Sequence, residues 1–203
     1  MNTGFFPNLI FAGVYALILL GGLVILAWID WKTLRLPKTI VLPLAAIGLV
    51  VNLIRGGWLA SLGQPVWLFG EVGVALGCLE GLLFGFSGLL AGFLLFFVLW
   101  IFSVVGGGDV KLVAAGGAWL GPSYIFGAIL FSALFLMLLT LLSLTLRMLS
   151  GRLPRPGPVA PLPGRTGIRR PLTSYALAFC LGTAMILALL IIGYWQTVGK
   201  PTA

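Results

Sequence analysis

Apolar residues fill long unbroken stretches of this chain, and polar residues gather at their ends instead of alternating with them. A run of about 18 or more apolar residues satisfies its backbone internally as a helix and crosses a bilayer. Residues 5–29, 79–105, 123–149 and 173–195 read as such spans, with 39–54 as a shorter one carrying Pro43 in its first turns. Residues 110–120 form a further short helix that Gly121-Pro122 ends. The expectation is an all-α polytopic membrane protein of about six transmembrane helices with both termini outside. A transmembrane barrel is excluded, because its strands would alternate.

The connections follow from the breakers and the charges. Residues 55–65, with Arg55, Gly56, Gly57, Gly63 and Pro65, read as an external loop. Residues 66–105 would accommodate two spans. One span over 79–105 is preferred, with 66–78 interfacial or partly inserted, because it keeps Asp30 and Asp109 on one side. Residues 151–172 hold six prolines and five arginines and read as an extended cytoplasmic loop within a single membrane domain over 1–203. No internal repeat stands out. The first run lacks a preceding basic region and a following cleavage pattern, so it reads as a retained span.

Composition narrows the chemistry sharply. The chain is 61% hydrophobic and 8% charged. It has no histidine, which excludes a Ser-His-Asp triad, a Cys-His pair and any His-ligated metal. Cys78 and Cys180 lie in apolar runs and read as small core residues. Four acids remain for acid–base work: Asp30, Glu71, Glu80 and Asp109. The net charge of +8 is concentrated in two clusters, one at Lys32, Arg35 and Lys38, the other from Arg147 to Arg170. Both clusters mark a cytoplasmic side and contact with lipid headgroups. The basic loop carries no aromatic residue, so nucleic acid is not expected as a partner.

Asp30 and Asp109 each close an apolar run. Taken alone, Asp30 is an ordinary helix-end acid beside bases. Asp109 is harder to dismiss, because Gly106, Gly107 and Gly108 precede it. Glycines there let the backbone bend and let another peptide approach the carboxylate. Two neighbouring carboxylates hydrolyse a peptide by a clear logic: one, ionised, activates water, while the other, protonated, polarises the carbonyl. Neither step requires a cofactor or metal. Glu71 and Glu80, nine positions apart, fall on roughly opposite faces of a helix. Both are expected at the outer interface.

Gly106-Gly107-Gly108-Asp109 fits a GxGD motif, and Asp109-Val110-Lys111-Leu112 extends it to GDxKL. With Asp30-Trp31-Lys32, Leu36-Pro37 and the segment 114–121, the pattern resembles the type IV prepilin peptidases over residues 28–122. The resemblance implies that Asp30 and Asp109 are the catalytic pair, that Gly106 and Gly108 shape the turn holding Asp109, and that Lys111 occupies the motif lysine. It implies cleavage of short basic leaders from pilin-like precursors at the cytoplasmic face of a bacterial inner membrane. There is no CxxC pair, so the chain resembles the short, peptidase-only type of tight-adherence (Flp-type) pilus systems, and methylation is not expected. Lys111 and Leu36-Pro37 fit this group better than the presenilin-type proteases that share GxGD. Outside proteolysis, the alternatives are a small proton-coupled transporter using either aspartate, or a non-catalytic scaffold whose basic loop recruits a partner. Oligomeric state is not legible.

Overall fold

Every long apolar run becomes a helix. The computed structural model describes residues 5–33, 36–150 and 174–198. Among them are five helices and no strand: α1 (Leu9–Thr33), α2 (Lys38–Ser61), α3 (Val74–Ile101), α4 (Gly107–Leu149) and α5 (Tyr175–Val198). All five are long and apolar enough to cross a membrane. The protein is therefore an all-α polytopic membrane protein.

The expected count of about six is reconciled inside α4. Gly121 leaves helical geometry at φ 70°, ψ 177°. Pro122 follows at the start of a second arm, where its missing N–H costs least. The two arms fold back on each other. A Cβ on Gly116 would stand 3.9 Å from Ile125 Cδ1, whereas nine residues of straight helix rise about 13 Å. Gly121 is required twice over. Its φ lies in the left-handed region, and a Cβ there would sit 2.1 Å from the Phe84 ring.

This turn lies inside the bundle, so its freed carbonyls need donors that lipid does not supply. Asn52 Nδ2 donates to the carbonyls of Ala118 and Trp119, at 2.8 Å each. The Tyr15 hydroxyl donates to the Trp119 carbonyl as well. Trp119 is fully buried, and its Nε1 donates to the Leu44 carbonyl at 2.8 Å. A polar collar from α1 and α2 thus holds the tip of the α4 hairpin.

Helices α2, α3 and α4 approach backbone to backbone. A Cβ on Gly117 would lie 2.1 Å from the Gly88 carbonyl oxygen, and one on Gly56 would lie 2.1 Å from that of Gly77. Small residues at such crossings let helices gain dispersion contacts that the hydrophobic effect does not drive in lipid.

Three expectations are corrected. Arg55, Gly56 and Gly57 do not open an external loop, since they belong to α2 and are buried. The Arg55 guanidinium is held by Asn52 Oδ1 at 2.9 Å and the Phe5 carbonyl at 3.3 Å, and lies 4.5 Å over the Phe5 ring and 4.6 Å over that of Phe84. Those partners supply part of what water otherwise gives a charged residue, and Nη2 has no hydrogen-bond partner among the described residues. Glu80 is not interfacial but 1% exposed. Because α3 begins at Val74 instead of residue 79, Glu80 falls in its second turn, with the non-helical segment 63–73 folded over it. Its Oε1 accepts the backbone N–H groups of Leu68 and Phe69, the latter at 2.7 Å. The interfacial segment expected over 66–78 accordingly splits, with 74–78 joining α3. Glu71 is exposed, as an interfacial acid should be. The single span expected across this region matches the single helix found. The Pro/Arg-rich loop at 151–172 lies outside the described residues.

Candidate active site

Four helix ends and one connection converge where the aspartates lie. Asp30 occupies the last turn of α1. Leu36-Pro37 leads into α2, with Pro37 extended at φ −71°, ψ 129° just before the helix starts. Proline suits that place because its ring presets φ, and an extended residue there starts the helix cleanly. Asp109 sits in the first turn of α4.

Asp109 is built into its own helix start. Its Oδ2 accepts the Gly106 N–H at 3.2 Å, and its own N–H donates to the Gly106 carbonyl at 3.0 Å. A carboxylate is favoured here because the first N–H groups of a helix lack internal partners. The glycines act differently from the flexible bend expected. Gly106 is extended at φ −77°, ψ 149°, and Gly107 and Gly108 are helical. Their value is close approach. A Cβ on Gly108 would meet Leu36 Cδ1 at 3.3 Å, and one on Gly107 would meet Trp100 Nε1 at 3.5 Å. The left-handed residue in this connection is instead Ser103, at φ 58°, which closes the end of α3.

Asp30 is held from another helix. The Ser174 hydroxyl, immediately before α5, donates to Asp30 Oδ2. Both aspartates are half-buried. Both belong to one neighbourhood, because the charge of Asp30 reaches Asp109, and Leu36, in the link that follows Asp30, packs against Gly108. Lys111 is exposed on the same turn as Asp109. Lys32 stands beside Asp30 in sequence, with its Nζ 4.5 Å over the Trp28 ring. Sequence reasoning passed over Ser174. A serine directly ahead of an apolar run is an N-cap signal, but its distant partner is not readable from spacing.

Glu71 and Glu80 are not part of this cluster, because the start of α3 lies at the opposite end of the bundle from Gly106. Among the described residues, no three His, Cys, Asp or Glu side chains gather as a metal site would require. The chemistry available is that of two carboxylates at one end of a helical bundle, each accepting one hydrogen bond.

Residues 17–142, which include both aspartates, match the type IV leader peptidase family. The chain belongs to that family. Among curated relatives, it is similar to the prepilin leader peptidase/N-methyltransferase of Pectobacterium carotovorum subsp. carotovorum, 38% identical over 113 residues, covering 52% of this chain and 33% of that protein. It is also similar to the protein of the same description from Burkholderia pseudomallei strain 1026b, 36% identical over 116 residues, covering 54% of this chain and 31% of the other. The chain therefore spans about a third of the length of these leader-peptidase relatives. No solved structure matches it.

Proposed function

We propose that this chain is an aspartic endopeptidase that removes the basic leader from pilin-like precursor proteins. The observation that supports the proposal is that the end of α1 with Asp30 and the start of α4 with Asp109 lie in one neighbourhood, joined by the contact of Leu36 with Gly108. Membership of the type IV leader peptidase family and the names of the curated relatives support it. The N-methyltransferase part of those names is not included in the proposal.

The reaction follows from the pair. One carboxylate takes a proton from water as the water oxygen attacks the scissile carbonyl carbon. The other gives a proton to the carbonyl oxygen, so that negative charge does not build up there. Collapse of the tetrahedral intermediate breaks the C–N bond, with a proton delivered to the leaving amine. The mechanism needs one carboxyl protonated and the other ionised, which two carboxylates sharing one proton supply. Gly106, Gly108 and Lys111 serve this reading as the frame of the Asp109 turn.

The setting proposed is a bacterial inner membrane with the site facing the cytoplasm. Lys32, Arg35 and Lys38 flank Asp30, and positive residues favour that side. A substrate helix would arrive through lipid with its leader at the same face. The test is cleavage of a pilin-like precursor in membranes by wild type, Asp30→Asn and Asp109→Asn at matched expression. Cleavage by wild type alone is expected. Normal processing by either variant rules out the dyad, and proton-dependent flux without proteolysis favours a transporter.

A further inference from the structure

We infer that Ser174 is a positioning residue for Asp30 in this reaction, an inference that rests on the peptidase reading above. Its hydroxyl donates to Asp30 Oδ2 across 144 residues of sequence. Ser174 is itself only 5% exposed. It stands on a well-anchored turn. The adjoining Tyr175 ring lies 5.5 Å from Phe96 and stacks 6.1 Å from Phe179, and Ala176 and Ala178 are fully buried.

The need for such a donor follows from where Asp30 is. A carboxylate in the last turn of a helix faces the negative end of that helix. It also faces Asp109, and the cations near it in sequence offer other partners. Its terminal torsion is broad and soft. Left alone, the group would turn toward solvent and away from its partner. A fixed hydroxyl on Oδ2 sets the plane of the carboxylate and leaves Oδ1 available for water. Asp109 obtains the same service from the Gly106 N–H. The dyad is thus oriented by two donors from two different helix starts, and Ser174 is the donor supplied as a side chain.

The experiment compares Ser174→Ala, Ser174→Gly and Ser174→Thr in the full chain, reconstituted in bilayers, with kcat and KM measured on a pilin-like precursor. Loss of a hydrogen bond to a charged group predicts that Ala and Gly each lower kcat about tenfold. KM stays within about twofold, because substrate binding is not what the hydroxyl serves. Thr keeps the hydroxyl and retains most of kcat. Glycine is the informative control, since it caps a helix nearly as well as serine. Wild-type kcat in Ser174→Gly, or a Thr variant as impaired as Ala, overturns the positioning role. If Asp30→Asn is inactive while Ser174→Ala is fully active, the dyad stands and this inference fails. A wild type that cleaves nothing overturns the peptidase reading and this inference with it.

Discussion

Gly108 packs tightly against Leu36: a Cβ would stand 3.3 Å from Leu36 Cδ1, so the leucine would have to give slightly. The glycine of the GxGD motif and the leucine of the Leu-Pro pair therefore form one contact. Leu36 lies between Asp30 and α2 in sequence, so this contact helps set how the α1 carboxylate approaches the start of α4.

Substitution of Gly108 should report on that contact by degrees. Gly108→Ala meets the movable end of a leucine and is expected to reduce cleavage only severalfold. Gly108→Val adds two methyl groups to a Cβ already 3.3 Å from Leu36, and overpacking of this kind costs about 1–3 kcal/mol. Precursor cleavage by the valine variant should fall at least tenfold below the alanine variant, roughly the factor such a cost implies. Equal rates for the two would detach Leu36 from the site.

Replacing either aspartate with asparagine should reduce precursor cleavage by about a thousandfold or more, within the range expected for loss of acid–base catalysis. The asparagine is nearly isosteric, so melting in detergent should move little. A variant that melts much earlier would point instead to a structural role for that carboxylate.

Asn52→Leu should destabilise the protein by about 2–4 kcal/mol, because the Ala118 carbonyl loses its donor and the buried Arg55 Nε its acceptor, while the Trp119 carbonyl keeps Tyr15. The Asn52 bonds to Ala118 and Trp119 are 2.8 Å each. Thermal unfolding of the detergent-solubilised protein checks this. A leucine variant with wild-type stability would mean that the α4 turn satisfies itself.

Gly121→Ala meets both a forbidden φ and the Phe84 ring. An expected cost of about 3 kcal/mol or more follows from backbone strain combined with a clash against a buried aromatic ring. Limited proteolysis in membranes should reveal an opened α4 hairpin.

Ser103→Gly should act in the opposite direction. Ser103 is exposed and sits at φ 58°. Relief of a left-handed conformation, less the added freedom of glycine when unfolded, predicts a gain of about 0.5 kcal/mol. A loss of stability would mean that the serine side chain contributes something its backbone does not.

The sequence was legible wherever the signal is local. Apolar runs locate the helices, Gly121-Pro122 marks the break in α4, and Gly106 to Asp109 with Leu36-Pro37 marks two segments that the fold packs together. Arg55 and Glu80 were misplaced because charge ordinarily signals surface. Here the Phe5 and Phe84 rings, Asn52, and the N–H groups of Leu68 and Phe69 take the place of water. None of those partners is predictable from spacing. Asn52 was the missed clue, since a lone amide within an apolar run has to be satisfied by something. The glycines of α3, from Gly77 through Gly81, Gly85, Gly88 and Gly92, recur at helical spacing and could have announced its two close neighbours.

Those close neighbours divide the molecule mechanically. Helices α2, α3 and α4 meet through main-chain atoms that have almost no slack, and Gly182 of α5 also abuts backbone, its Cβ position 2.6 Å from the Ala128 carbonyl oxygen. Helix α1 joins this block through side chains, such as Tyr15 on Trp119 and Leu44 against Gly22. Side chains yield by changing rotamer, whereas abutting backbones do not. Asp109 is therefore mounted on the stiff body, while Asp30 rides on α1 and is tied back to that body by the Ser174 hydroxyl just ahead of α5. A piston or tilt of α1 in the surrounding lipid would load that tether before it changed the gap between the two carboxylates.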